Sequence, residues 1–159
     1  MGPIVTQLAH RKLAIATQIQ PLMRRAYLHE AKIIGVEDFP PLHRTVSDIQ
    51  QADTLFYGAW QQQQLAAVIE FEETEQQLNI DSLVVEPDCF RQGLASQLLT
   101  LSRQLAGGRP LHVETSANNI PAIALYQRHG FTRYRQWSMS PQIDLVALTT
   151  EPIAQPALA

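Results

Sequence analysis

The spacing of apolar residues changes several times along the chain, and each change marks an element. Ile4-Val5-Thr6-Gln7-Leu8 reads as a short first strand. From Ala9 to Ile34, residues Ile15, Ile19, Leu22, Met23 and Ala26 recur at helical spacing. Pro21 falls inside that run. It lacks an amide hydrogen and crowds the preceding turn, which predicts a kink or two abutting helices. Gly35 suits a helix C-cap. Residues 36–44, VEDFPPLHR, read as a loop, because Pro40 and Pro41 favour extended backbone. A short helix is expected over 45–52, capped by Thr45 or Ser47.

The period then falls to two. Residues 54–60 (TLFYGAW), 64–73 (QLAAVIEFEE) and 77–85 (QLNIDSLVV) read as strands. Their links are short, so an antiparallel meander follows, with the glutamines at 61–64 as a hairpin turn. A helix is expected over 92–106, with Leu94, Leu98, Leu101 and Leu105 as its apolar stripe and Gly107-Gly108 as its stop. Residues 110–117 (PLHVETSA) form another strand. A capped helix follows, with Asn118 or Asn119 at its start, Pro121 in the first turn and Gly130 at its end. TRYRQWSMS (132–140) and QIDLVALTTE (142–151) are two last strands. The order is β-α-α-β-β-β-α-β-α-β-β, a mixed α/β arrangement in which the helix over 92–106 links two strands in parallel. Residues 1–150 read as a single domain, and 151–159, with two prolines, as a loose tail.

Composition narrows the function classes. The chain has 159 residues, 45% hydrophobic and 17% charged, which suits a globular domain with a real core. A net charge of −3 disfavours nucleic acid as a partner. No apolar run reaches the length of a membrane span and no signal-peptide core stands at the N-terminus, so a soluble, cytoplasmic protein without a membrane partner is expected. Cys89 is the only cysteine, and no partner base accompanies it in sequence, so neither a disulfide nor a nucleophilic role is expected. Five histidines lack ligand spacing, so no metal is expected.

The stretch VVEPDCFRQGLASQLL, residues 84–99, carries the first chemical signal. A strand ends at Pro87, a loop with one glycine follows, and a helix opens at once. Free backbone N–H groups and the positive end of a helix dipole then meet at one spot, which suits an anion. Gly93 allows main chain to approach phosphate oxygens without a Cβ. Neither a Walker loop nor a Gly-x-Gly-x-x-Gly dinucleotide motif is present.

Two segments together resemble one family. Phe90-Arg91-Gln92-Gly93-Leu94-Ala95 resembles the (Arg/Gln)-x-x-Gly-x-(Gly/Ala) acyl-CoA loop of the GNAT (GCN5-related) N-acetyltransferases, with Phe90 replacing the usual first residue. Asn119, Ala122, Leu125, Tyr126, Gly130 and Phe131 resemble that family's second signature, Asn-x-x-Ala-x-x-(Leu/Phe)-Tyr followed by Gly-Phe. The resemblance covers residues 1–150. It implies a central twisted, mostly antiparallel sheet of about seven strands with about four helices, and acetyl-CoA as co-substrate.

The resemblance also implies roles. Leu83, Val84, Val85, Arg91, Gln92, Gly93, Leu94, Ala95, Ser96, Asn119 and Tyr126 would bind the coenzyme, largely through main chain. A backbone N–H near Leu83–Val85, beside a strand bulge, would meet the developing oxyanion. Tyr126 would protonate the leaving thiolate. A base must also deprotonate the acceptor, since an alkylammonium has no free lone pair at neutral pH. Glu114 ranks first for that task and Asp81 second, with Glu70 and Glu72 behind them. Strand alternation puts His112 and Glu114 on one face. His129 is read as interacting favourably with its helix C-terminus. The helix–loop–helix over 25–48 would wall the acceptor side, with Tyr27, His29, Glu30, Glu37, Asp38, Phe39 and His43 as contacts. The acceptor is a small-molecule or peptide amine, and a homodimer is a reasonable assembly for the family. The alternative is a non-catalytic acyl-CoA binding or sensing module.

Overall fold

The period-two segments pair into one seven-stranded sheet in the order β1-β2-β3-β4-β5-β7-β6. The strands are β1 (Ile4–Leu8), β2 (Leu55–Gln61), β3 (Gln64–Glu73), β4 (Leu78–Val85), β5 (Leu111–Ser116), β6 (Thr132–Ser140) and β7 (Ile143–Thr149). The helices are α1 (Leu13–Ile34), α2 (Val46–Gln51), α3 (Leu94–Ala106) and α4 (Ile120–Arg128). This computed structural model describes residues 2–151; apart from Glu151, the tail expected to be loose over 151–159 lies outside the described residues. No described helix is long and apolar enough to cross a membrane.

Every neighbouring pair is antiparallel except β4 and β5, which the α3 crossover forces to run parallel. Helices cover both faces. On one, Leu94, Leu98 and Leu99 of α3 and Ile123 and Tyr126 of α4 pack on Ile69, Phe71, Leu78, Ile80 and Val113. On the other, Ile19, Leu22 and Met23 of α1 and Ile49 of α2 pack on Phe56, Val68 and Val84. A small third cluster joins Ala31, Ile34, Val36 and Phe39 to Ile143, tying the end of α1 to β7.

Three local expectations are corrected. Pro21 does not divide the first helix: α1 runs unbroken through it, starting at Leu13 rather than Ala9. Ile19, Leu22 and Met23 are at most 3% exposed, and their burial on either side of Pro21 outweighs one lost backbone hydrogen bond. Pro40 and Pro41 do not forbid helix either. They open a 3-10 turn, Pro40–His43, at positions whose amide hydrogens would have no partner anyway. His129 is the C-cap residue of α4, but burial, Arg128 and Arg103 push its pKa down, against the favourable charge–dipole reading, and the Arg103 guanidinium donates to its carbonyl. The hairpin at 61–64 does form, with Gln62 and Gln63 in left-handed backbone (φ 49° and 66°). Thr45, not Ser47, caps α2, in a reciprocal capping box with Asp48.

Candidate active site

The site begins where β4 and β5 part. Their pairing covers only Leu78–Ile80 against Leu111–Val113. The cause lies in β4. Glu70 of β3 pairs with Ser82 and the next residue, Phe71, pairs with Ile80, so Asp81 is an extra residue, a bulge. The bulge inverts the alternation. Leu78 and Ile80 face α3 and α4, whereas Val84 faces α1 and Leu83 turns towards α3. Glu86 N–H donates to Ala66 of β3 at 2.8 Å. Successive strand amides point to opposite edges, so the Leu83 and Val85 N–H groups point away from β3, into the gap that β5 leaves.

At the end of β4 a 3-10 turn, Pro87–Cys89, leads into the loop. Arg91 and Gly93 both adopt left-handed backbone (φ 66° and 77°), and α3 starts at Leu94, not at residue 92. No side chain caps that helix. The first amide bonded back to the cap is that of Gln97, to Gly93 O at 3.0 Å, which leaves the amides of Leu94, Ala95 and Ser96 without main-chain partners. A Cβ built on Gly93 meets nothing within 4 Å, so the loop encloses open space, not packed protein. Free amides, open space and a helix dipole fit a diphosphate.

From the gap a cavity of about 290 Å³ runs between β4 and β5. Ile80, Asp81, Ser82 and Leu83 form one wall; Val113, Glu114, Thr115 and Ser116 form the other. Tyr126 of α4 borders it at 5% exposure, and no hydrogen bond from its hydroxyl is found among the described residues. Burial pushes its pKa well above the ordinary tyrosine value, so at neutral pH it keeps its proton.

A buried polar chain backs the bulge. Tyr27 donates to Ser82 at 3.1 Å, and Ser82 donates to Glu70 at 3.1 Å. Arg44 donates to both Glu70 oxygens at 2.6 and 2.9 Å, and Thr54 adds a bond at 2.6 Å. Burial raises the Glu70 pKa, but these partners outweigh it and hold the carboxylate ionised. Tyr27 is pushed up to about 12, chiefly by burial.

A family model described as the acetyltransferase (GNAT) family matches residues 17–131. The chain belongs to the GNAT family. It is 35% identical over 127 residues to the UPF0157 protein YqkA of Bacillus subtilis, across 79% of this chain and 37% of that protein. It is 37% identical over 92 residues to the streptothricin acetyltransferase of Escherichia coli, across 54% of this chain and 51% of that protein. The chain thus spans about half, or less, of the length of these curated relatives. Its fold resembles the PaiA N-acetyltransferase of Thermoplasma acidophilum, solved in complex with coenzyme A, with a TM-score of 0.73 at 13% identity over 92% of this chain and 98% of that one. The mixed α/β fold read from sequence, with seven strands and four helices, is the GNAT fold.

Within this GNAT frame, the site residues read from sequence border the cavity, lie in the loop before α3, or stand away from both. Leu83, Glu114, Asp81, Asn119, Tyr126, Tyr27, Glu30 and Phe39 border the cavity. Arg91, Gln92 and Gly93 are exposed in the loop, Ala95 and Ser96 stand in the first turn of α3, and the Ser96 hydroxyl meets His129 Nε2 at 3.1 Å. The Val84 side chain packs under α1, so any contact it makes with a coenzyme is by main chain. His29, Glu37 and Asp38 lie off the cavity: His29 stacks edge-on against Phe90, with ring centroids 4.9 Å apart, and exposed Asp38 pairs with His43 at 2.7 Å. Glu70 is bound up by Arg44 and is not free to act as a base. Cys89 has its thiol pushed up by burial and by Glu86 and Asp88, which disfavours a thiolate.

Sequence reasoning missed Ser82, Arg44, Met139 and Leu145. The last two reach the cavity from the β6–β7 hairpin. One signal was present: in LNIDSLVV, apolar alternation breaks at the adjacent polar pair Asp81-Ser82, the mark of a bulge. Nothing in the sequence pairs Arg44 with Glu70, 26 residues away.

Proposed function

We propose that this protein is an acetyl-CoA-dependent N-acetyltransferase that transfers the acetyl group directly to a primary amine within a ternary complex. The observation that carries the reading is the parted pair β4 and β5, with an unpartnered Tyr126 hydroxyl at the gap and free amides of α3 beyond it.

The amides of Leu94, Ala95 and Ser96, shaped by Arg91, Gln92 and Gly93, would hold the pyrophosphate. The Leu83 and Val85 amides would grip the pantetheine arm and the carbonyl oxygen, where their dipoles stabilise developing negative charge. When bound, acetyl-CoA supplies an activated acyl group. Glu114, with Asp81 second, would take the proton from the entering ammonium. The Asp81 carboxyl is raised to about 6, first by partial desolvation and then by Glu70, Glu72 and Glu114. A base poised below neutrality is ionised and still accepts a proton. Tyr126 would donate its proton to the leaving thiolate. Asn119 holds α4 and with it Tyr126. A cytoplasmic location goes with this reading, since the free thiol of Cys89 persists in a reducing compartment.

The test is thiol release from acetyl-CoA with a panel of amines, beside calorimetric titration with coenzyme A. Saturable coenzyme binding with amine-dependent thiol release is expected. Binding without transfer to any amine would point to a sensing module, and no saturable binding would remove the whole reading.

A further inference from the structure

The turn that leads into the Gly93 loop is held from outside, by one face of α1. Arg25 of α1 donates from Nε to both Glu86 oxygens, at 2.8 and 3.0 Å, and from Nη2 to one of them at 2.6 Å. One helical turn further along, His29 lies edge-on against Phe90. Residues four apart share a helix face. Glu86 and Phe90 are the two residues that flank the 3-10 turn Pro87–Cys89, so α1 grips that turn at both ends. Phe90 stands where the GNAT loop usually has Arg or Gln, and here its ring goes to α1.

The loop beyond has little local support of its own. Arg91 follows Phe90 with left-handed backbone at φ 66°, which a residue with a side chain keeps only where its surroundings impose it. Gly93 comes next at φ 77°, and no side chain caps α3. The path of the chain from Glu86 to Gly93 therefore aims the free amides of Leu94, Ala95 and Ser96.

Charge points the same way. Glu86 and Asp88 place two carboxylates on the approach to those amides, and Arg91 is the one cation among residues 86–96. Left unanswered, they would repel an arriving diphosphate. Hydrogen bonding to Glu86 raises the Arg25 pKa, and the charges of Glu86 and Asp88 add to the rise. The pair is more than a loose surface contact: the Glu86 side chain is 16% exposed, and the two-pronged bond fixes both planar groups.

We propose that Arg25, with His29 beside it on α1, is a positioning residue for the coenzyme. It acts through Glu86: it holds the 86–90 turn in the conformation that presents the α3 amides to the diphosphate, and it cancels the carboxylate charge that would oppose the phosphates. This rests on the reading of the Gly93 loop as the coenzyme site and adds to it two residues of a distant helix.

Coenzyme A binding by calorimetry and thiol release with two acetyl donors test it. Arg25→Met should raise the Kd of coenzyme A about tenfold, and Arg25→Lys, which keeps the charge without the fork, about threefold. His29→Ala should raise it on the order of threefold. With acetyl-CoA, Arg25→Met should raise KM and keep kcat within about twofold. With S-acetylpantetheine, which lacks the diphosphate, kcat/KM should stay within about twofold of the parent, because the charge and the turn act on the phosphates alone. Equal losses with both donors would mean general loosening and overturn the proposal, as would a parental Kd for Arg25→Met. Should Arg25→Met fail to fold, by its urea midpoint, Arg25→Lys is read in its place, and a parental Kd again overturns the proposal. Binding without turnover leaves the calorimetric comparison to decide. Failure of the parent to bind coenzyme A defeats the acetyltransferase reading, and this inference with it.

Discussion

Asn119 joins two helices that are far apart in the chain: its Nδ2 donates to Glu30 Oε1 at 2.9 Å, across a separation of 89 residues. The other end of the same amide accepts from Ala122 N–H at 3.4 Å and so caps α4. One side chain thereby sets the start of the helix that carries Tyr126 and ties it to α1. Burial raises the Glu30 pKa and the Asn119 bond opposes that rise.

Asn119→Ala should therefore lose a cap and strand a half-buried carboxylate. The expected cost is about 1–2 kcal/mol in urea denaturation, with a fall in kcat as α4 loosens. A variant as stable and as active as the parent would show that the link does neither.

Tyr126→Phe separates chemistry from folding. The hydroxyl has no described partner, so its removal should leave stability unchanged. Turnover should fall on the order of a hundredfold, with coenzyme A affinity kept. Unchanged thiol release would take Tyr126 out of the mechanism.

Asp81 predicts a dependence on pH. Its carboxyl titrates at 3.8 in an unfolded chain and about 6 in the fold. The folded protein holds the proton longer, so the Asp81 contribution to stability is full below 3.8 and is lost as pH rises through about 6. Asp81→Asn should flatten that decline and raise the urea midpoint at neutral pH relative to the parent. In the parent, amine turnover should rise through pH about 6, as the carboxylate forms. Parallel stability curves for parent and variant would refute the assignment.

Arg44→Met should destabilise by about 3 kcal/mol, because it leaves Glu70, 2% exposed, as an uncompensated charge. Arg44→Met combined with Glu70→Leu should recover much of the loss, read from the same denaturation curves. A single variant with parental stability would mean that Ser82 and Thr54 alone satisfy Glu70.

Gly93→Ala tests the loop. The added Cβ meets nothing, so the folding cost is the left-handed backbone alone, about 1 kcal/mol. Coenzyme A affinity should fall about tenfold or more by calorimetry, because the new atom stands in the space left for phosphate. Parental affinity would place the phosphate elsewhere.

By itself the chain determined most of what is local. Period-two and helical spacing located all seven strands and four helices, since burial of one face imposes those periods on each segment separately. The Gly93 loop and the Asn119–Phe131 signature were legible through their resemblance to GNAT motifs, whose residues are neighbours in sequence. What brings distant segments together was not legible. Pro21 stays within α1 because the sheet beneath it supplies more burial than one hydrogen bond costs. His29 lies against Phe90 and Asp38 pairs with His43, both away from the cleft. The gap itself exists because Asp81 bulges while Glu70, Ser82, Tyr27 and Arg44 close a network behind it. Such choices are settled by energies between residues tens of positions apart, which only the assembled sheet and its helices bring into contact.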